Sequence, residues 1–256
     1  MLLKSSEEKL MNLLEEKINK IKMNMTIKKA AWMEKISMGE LPKHKHLAIL
    51  LSLLPQQEKR NLELEQYTTP GDLASKWIHG IYNSRENGFS NLNIIDIGCG
   101  NGVLGLGCAL MGAKKLTLID SDKEAIKVAK KSHLMLSENV NLDTEIDFIN
   151  SHIGKDSIKI PNNSLIISNP PWGTQKHKSD RPILDSIFNS NTEEIHIMHT
   201  NKNSHLIPFA KEHGWDAIKM IEADFMIPAL YQHHKQKNST TEIICWKFFK
   251  PTKGEV

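Results

Sequence analysis

From residue 72 to the C-terminus, short β-branched runs alternate with longer amphipathic ones, and this alternation limits the chain to few folds. "DLASKWIHGIYN" has helical spacing, "LNIIDIG" is a strand, "GVLGLGCALMGA" is helical, "KKLTLID" is a strand and "KEAIKVAKKSHLML" is a helix. "TEIDFIN" and "SLIIS" read as strands; "RPILDSIFNS", "EIHIMHT", "SHLIPFAKEHG" and "WDAIKMIEADF" keep the alternation, and "TTEIICWKFF" is a long closing strand. Strands separated by helix-length segments are joined by crossovers, so the sheet is mainly parallel with helices on both faces: the α/β class. The 256 residues suffice for one large domain or a domain with an appendage.

The first 60 residues read differently. Leu10, Leu13, Leu14, Ile18 and Ile21 recur at helical spacing in a Lys/Glu-rich stretch, and "HLAILLSLLPQQEKR" is a short helix ended near Pro55. This predicts a helical N-terminal extension over 1–62 ahead of a catalytic domain over 63–256. The cluster Lys17, Lys20, Lys22, Lys28 and Lys29 is either a solvated helix face or an arm for RNA or a partner. With Lys+Arg 33 against Asp+Glu 30, any basic surface is local, not global. Cys99, Cys108 and Cys245 form no Cys-x-x-Cys pair, so neither a zinc site nor a disulfide framework is expected. No apolar run reaches membrane-spanning length and no secretory pattern opens the chain, so the expectation is a soluble, cytoplasmic protein without a membrane.

Two turns carry the chemistry. In "IIDIGCGNGVLGLG", Asp96 ends a strand and Gly98, Gly100 and Gly102 follow with Asn101 among them; glycines at this spacing make a tight turn and let a ligand approach the backbone. The next strand ends in Asp120 and Ser121, where a carboxylate can accept hydrogen bonds from both ribose hydroxyls. Together they indicate an adenosine ligand. The second turn, Asn169-Pro170-Pro171-Trp172, follows the strand "SLIIS". The Asn169 side-chain oxygen and the Pro170 carbonyl could aim two acceptors at an exocyclic amine, with the prolines holding the backbone rigid. Trp172 offers a face for an extruded base, worth roughly 1–3 kcal/mol. The chemistry calls for no metal. "QKHKSDR" (Lys176, His177, Lys178, Arg181) and "YQHHKQK" (Tyr231, His233, His234, Lys235, Lys237) are candidate RNA phosphate contacts. His199, at a strand end, is more simply a structural histidine.

"DIGCGNG" resembles motif I of class I S-adenosylmethionine-dependent methyltransferases. "LELEQYTTP", "NPPWGTQKHKSD" and "IPALYQHHKQK" resemble stretches of the small-subunit ribosomal RNA adenine-N6 methyltransferases, the methyltransferase-like protein five family, over about residues 64–250. The resemblance implies a seven-stranded, mostly parallel Rossmann-like methyltransferase sheet, S-adenosyl-L-methionine as cofactor, and Gln66, Tyr67 and Thr69 closing over it. It also implies Asp96, Gly98 and Asp120 as cofactor contacts and a small zinc-ribbon activator protein as partner. Gly173, Thr174, Asp180, Pro228, Tyr231, His234 and Lys235 stand in the family's places. Trp172 stands where the family has Phe, and Thr68 where it has Pro. A third-strand Asp that would contact the cofactor adenine is replaced within "INSHI", so either His152 or Asn150 takes that place. Asn-Pro-Pro chemistry serves protein glutamine or DNA adenine equally well, and an RNA-binding assembly factor without turnover is a third class of function.

Overall fold

The computed structural model describes residues 31–57, 67–154, 156, 160–172, 180–201, 205–228 and 238–251. The N-terminal lysine cluster, Gln66, Gly173, Thr174, Lys176, His177, Lys178, Tyr231, His233, His234, Lys235 and Lys237 lie outside the described residues.

After a helical stretch over 31–37, α1 (His44–Ser52) and α2 (Gly71–Asn83) precede the alternating part. There follow β1 (Asn93–Ile97), α3 (Val103–Leu110), β2 (Lys115–Asp120), α4 (Lys123–Ser137), β3 (Glu145–Asn150) and β4 (Ser164–Ser168). Then come α5 (Arg181–Phe188), β5 (Glu194–Thr200), α6 (Leu206–Glu212), β6 (Asp216–Pro228) and β7 (Asn238–Phe249). The seven strands form one sheet in the order β3-β2-β1-β4-β5-β7-β6. β1 to β5 pair in parallel, while β7 runs antiparallel to both β5 and β6. The mixed α/β, mostly parallel expectation therefore holds, with an antiparallel edge.

Side chains alternate across the sheet, and each face has its own core. On one face Ile94, Leu165 and Ile167 join Leu106 of α3, Ile126 and Ala129 of α4, and Trp77 and Ile78 of α2. On the other, Ile95, Ile97 and Ile166 pack with Leu184 and Phe188 of α5 and Phe209 of α6. β1, β4 and β5 are buried almost throughout, because helices cover both sides of a parallel strand. Leu47, Leu50, Leu51 and Leu54 belong to the first of these clusters, so α1 is a layer of the same core.

At the base of the sheet, buried Glu194 accepts from Arg85 at 2.9 Å, Lys247 at 2.8 Å and His196 at 2.5 Å. Burial alone would raise its pKa, but the bonds from His196 and Lys247 hold it at about 2. Burial lowers the pKa of His196, so its neutral ring donates from Nε2 to Glu194. Among the described residues no helix is long and apolar enough to cross a membrane.

α1 and α2 cross at Gly71, where an added Cβ would lie 2.6 Å from the Ala48 carbonyl oxygen and 2.7 Å from the Ser52 amide nitrogen. Backbone cannot yield cheaply at that distance. Gly71→Ala is expected to lower unfolding stability by about 1–3 kcal/mol in denaturant titration.

Candidate active site

The chain leaves β1 through α3 toward β2 and β3 in one direction along the sheet, and leaves β4 through α5 toward β5 in the other. The neighbours β1 and β4 are therefore the switch point, where crossovers diverge and leave a crevice beyond the carboxyl ends of the strands. Ile97 pairs with Ser168, and the Ser168 hydroxyl donates to the Ile97 carbonyl at 2.7 Å. This register sets the glycine turn after β1 beside the Asn-Pro-Pro turn after β4. Both line one cleft, with Gly98, Gly100 and Asn101 on one wall and Asn169 and Pro171 on the other.

The glycine turn is shaped by backbone positions at φ +71° (Gly98), +56° (Gly100) and +82° (Gly102), a region that favours glycine. Gly98 and Gly100 have open space where a Cβ would stand, so a ligand can approach the peptide plane. Asp120 sits opposite: Oδ2 accepts from Gly100 N and Oδ1 from Asp122 N, both at 2.9 Å. Burial raises its pKa, opposed by these amide donors. Each carboxylate oxygen has a second lone pair, so the carboxylate can still take a pair of ribose hydroxyls. Open glycines, a twice-held carboxylate and the apolar walls Ile97, Ile119 and Ile153 fit an adenosine-bearing cofactor.

Asp96 takes a different place from the one expected. It lies 1 % exposed beneath the turn, on the α3 side of β1, and does not line the cleft. Its Oδ2 accepts from Gly105 N at 2.8 Å, satisfying an amide of the first turn of α3 that has no helical partner. That bond ties the turn to the helix. Burial raises its pKa to about 7, with the nearby Asp120 charge adding and the Gly105 bond opposing. Gly102 likewise shapes the turn as the N-cap of α3 without lining the cleft.

Asn169 is half-buried at the cleft. Its Nδ2 donates to Thr69 Oγ1 at 3.2 Å and its Oδ1 accepts from Trp172 Nε1 at 3.0 Å. Trp172 departs from the expectation of an open stacking face. It is 4 % exposed, its ring 5.0 Å from that of Phe225 at 78° and 5.7 Å from that of Tyr67 at 34°. The apolar gain from burying the indole against Phe225 outweighs its exposure, while Pro170 is buried and Pro171 faces the cleft.

Tyr67 and Thr69 line the cleft. Of the two third-strand candidates, His152 and its neighbour Ser151 line it. Asn150 does not; its Nδ2 donates to the carbonyls of Asp120 and Ser121, both at 3.0 Å. Ser121 lines the cleft as well. The Asn101 side chain is committed elsewhere, donating to the Pro55 carbonyl at 3.0 Å and accepting from Val103 N. Arg181 is not at the cleft; its guanidinium lies 4.0 Å from the ring centre of Phe209. His199 is structural: Nδ1 accepts from Thr200 N, so Nε2 carries the proton and donates to buried Asp180 at 3.2 Å. His205 bonds the same Asp180 oxygen at 3.1 Å. Burial would raise the Asp180 pKa, but these two histidines hold it low.

Sequence reasoning missed Gln57, which lines the cleft and donates to Asp122 Oδ2 at 2.8 Å. Its signal is weak, since a glutamine after a helix is usually solvated. Ile153 and Ile183 were missed as well, being apolar positions without a motif.

The raised Asp96 pKa has a consequence for stability. A carboxyl with a folded pKa of about 7 against 3.8 unfolded binds more protons when folded, so its contribution is full below 3.8 and lost as pH rises through about 7. Asp96→Asn removes this dependence. Thermal denaturation is expected to show the variant gaining on the wild type as pH rises across that window; a difference independent of pH would refute the assignment.

The Methyltransferase small domain family matches residues 81–197. An uncharacterized protein of Methanocaldococcus jannaschii is 32% identical over 215 residues, covering 81% of this chain and 94% of that protein. The rRNA N(6)-adenosine-methyltransferase Mettl5 of Drosophila melanogaster is 28% identical over 75% of this chain and 89% of its own. Its counterpart METTL5 of Danio rerio is 26% identical over 78% and 96%. A proposed RNA methyltransferase of Pyrococcus horikoshii superposes with a TM-score of 0.69 at 25% identity, covering 84% of this chain and all of that one. With a switch-point cleft built from a glycine turn, a strand-end Asp and an Asn-Pro-Pro turn, the chain belongs to the S-adenosylmethionine-dependent methyltransferases of the small-domain family.

Proposed function

We propose that this protein methylates N6 of an adenine in ribosomal RNA, and that the RNA is that of the small subunit. The observation that carries the reading is the placement of Asn169 directly across the β1–β4 switch point from the glycine turn. The Drosophila, zebrafish and Caenorhabditis elegans relatives are named rRNA N(6)-adenosine-methyltransferases and align over 89–96% of their lengths, which supports the substrate class. The "LEQY" and "YQHHKQK" stretches support the small subunit.

Bound S-adenosylmethionine supplies a sulfonium-activated methyl group. Asp120 holds the ribose, Gly98 and Gly100 let the cofactor approach the backbone, and His152 and Ser151 wall the adenine side. Asn169 Oδ1 and the Pro170 carbonyl accept hydrogen bonds from the N–H groups of the target amine. That draws its lone pair out of conjugation with the ring, and rigid acceptors need no reorganisation when charge develops. The basic segments around Lys176, Lys178, Lys235 and Lys237 are the proposed phosphate contacts. A zinc-ribbon activator is the proposed partner; β3, at the end of the strand order beside β2, is the sheet edge proposed for its docking.

The test separates binding from transfer. Asp120→Ala is expected to weaken S-adenosylmethionine at least about tenfold by calorimetry, since hydrogen bonds to a charged group contribute roughly 1.5–3 kcal/mol each. Asn169→Ala is expected to bind cofactor like the wild type and to lose about 10²–10³-fold in transfer rate. Radiolabel transfer would be followed into small-subunit rRNA, large-subunit rRNA, DNA and release factor, with and without a zinc-ribbon partner. N6-methyladenosine in small-subunit RNA alone supports the reading. Label in DNA or in protein glutamine overturns the substrate, and full activity of Asn169→Ala overturns the mechanism.

A further inference from the structure

The residue after the second proline is a tryptophan, and the cleft does not use its ring. What it presents toward the site is its N–H, 3.0 Å from Asn169 Oδ1. An asparagine amide is nearly symmetric in shape, and a half-turn about its last bond exchanges oxygen for NH2. In one orientation Asn169 offers an acceptor to an incoming amine. In the other it offers two donors, and the amine meets N–H against N–H. Something must therefore choose.

Thr69 cannot choose alone, because a hydroxyl both donates and accepts and would satisfy either amide atom. The indole nitrogen can. It is a donor only and is compatible only with the oxygen. It is also held: the ring is 4 % exposed and packed on Phe225 and Tyr67, so the N–H cannot turn away without disturbing the core. The amide oxygen has two lone pairs, one for Trp172 and one for the amine. We propose that Trp172 is a positioning residue whose indole N–H locks the Asn169 amide with its oxygen toward the substrate amine. This rests on the amine-methylation reading above.

Trp172→Phe keeps an aromatic ring in the pocket and removes only the donor. The expected result is a kcat about tenfold lower with the KM for RNA and the affinity for S-adenosylmethionine unchanged. An unchanged kcat overturns the proposal, as does a raised KM with kcat intact, which is the signature of lost stacking. Asn169→Asp supplies two equivalent oxygens and needs no choice, so adding Trp172→Phe to it should cost little; a full tenfold loss there also overturns the proposal. A readout without turnover separates this from failure of the substrate reading. In the wild type the Trp172 indole N–H resonance, assigned by its absence in Trp172→Phe, should be protected from solvent exchange, and Asn169→Ala should lower that protection. An indole unprotected in the wild type sinks the lock whatever the substrate. A protected indole in a protein that methylates no RNA sinks only the choice of substrate.

Discussion

The parallel pairing of β1 with β4 is the constraint on which the site depends. Two strands distant in sequence lie side by side, and the crossovers that follow them turn in opposite directions. Neither connection covers the strand ends, so a cleft opens there without any residue being devoted to making it. The Ile97–Ser168 register then fixes which turn residues face each other. A slip of one residue would turn every side chain of β4 to the opposite face and move Asn169 away from the glycine turn.

Around that pairing, the buried carboxylates divide the work by depth. Asp96, on the helix side of β1, ties the turn to α3 through Gly105, while Asp120, one strand over, reaches the cleft and is itself tied back to Gly100. Both have raised pKa values because burial disfavours their charge. A cationic cofactor in the cleft beside Asp120 would favour its charge, so cofactor binding and the ionisation of that carboxyl are linked. At the far end of the sheet the balance is reversed: His196 and Lys247 hold Glu194 ionised, in a network away from the cleft.

Much of this was legible in the sequence, for physical reasons that also set the limits. Periodicity distinguishes strands from helices, and the alternation it revealed is the fold. Glycines at Gly98 and Gly100 and a strand-end Asp120 are local requirements, so local sequence reports them. Asp96 was misplaced because a motif does not say on which face of the strand a side chain emerges. Trp172 was misplaced because its burial is decided by Phe225, more than fifty residues away and on another strand. That His152 lines the cleft and Asn150 does not follows from the Asn150 amide bonding the carbonyls of Asp120 and Ser121. Gln57 was invisible because it meets Asp122 only through the folded chain.

The short segment after α1 also defines the smallest piece of this protein that can be complete. Pro55 receives the Asn101 side chain, Gln57 reaches Asp122 and walls the cleft, and Gln56 accepts from Thr68 beside Tyr67. A chain begun where the alternating pattern starts would keep the glycine turn, Asp120 and the Asn-Pro-Pro turn. It would nevertheless leave the Asn101 amide buried without an acceptor, strip α1 from the faces of Trp77 and Ile78, and open one side of the cofactor cleft. The core thus continues across the boundary that sequence composition suggests near residue 62, with Leu47, Leu50, Leu51 and Leu54 packed in the same cluster as Trp77 and Ile78.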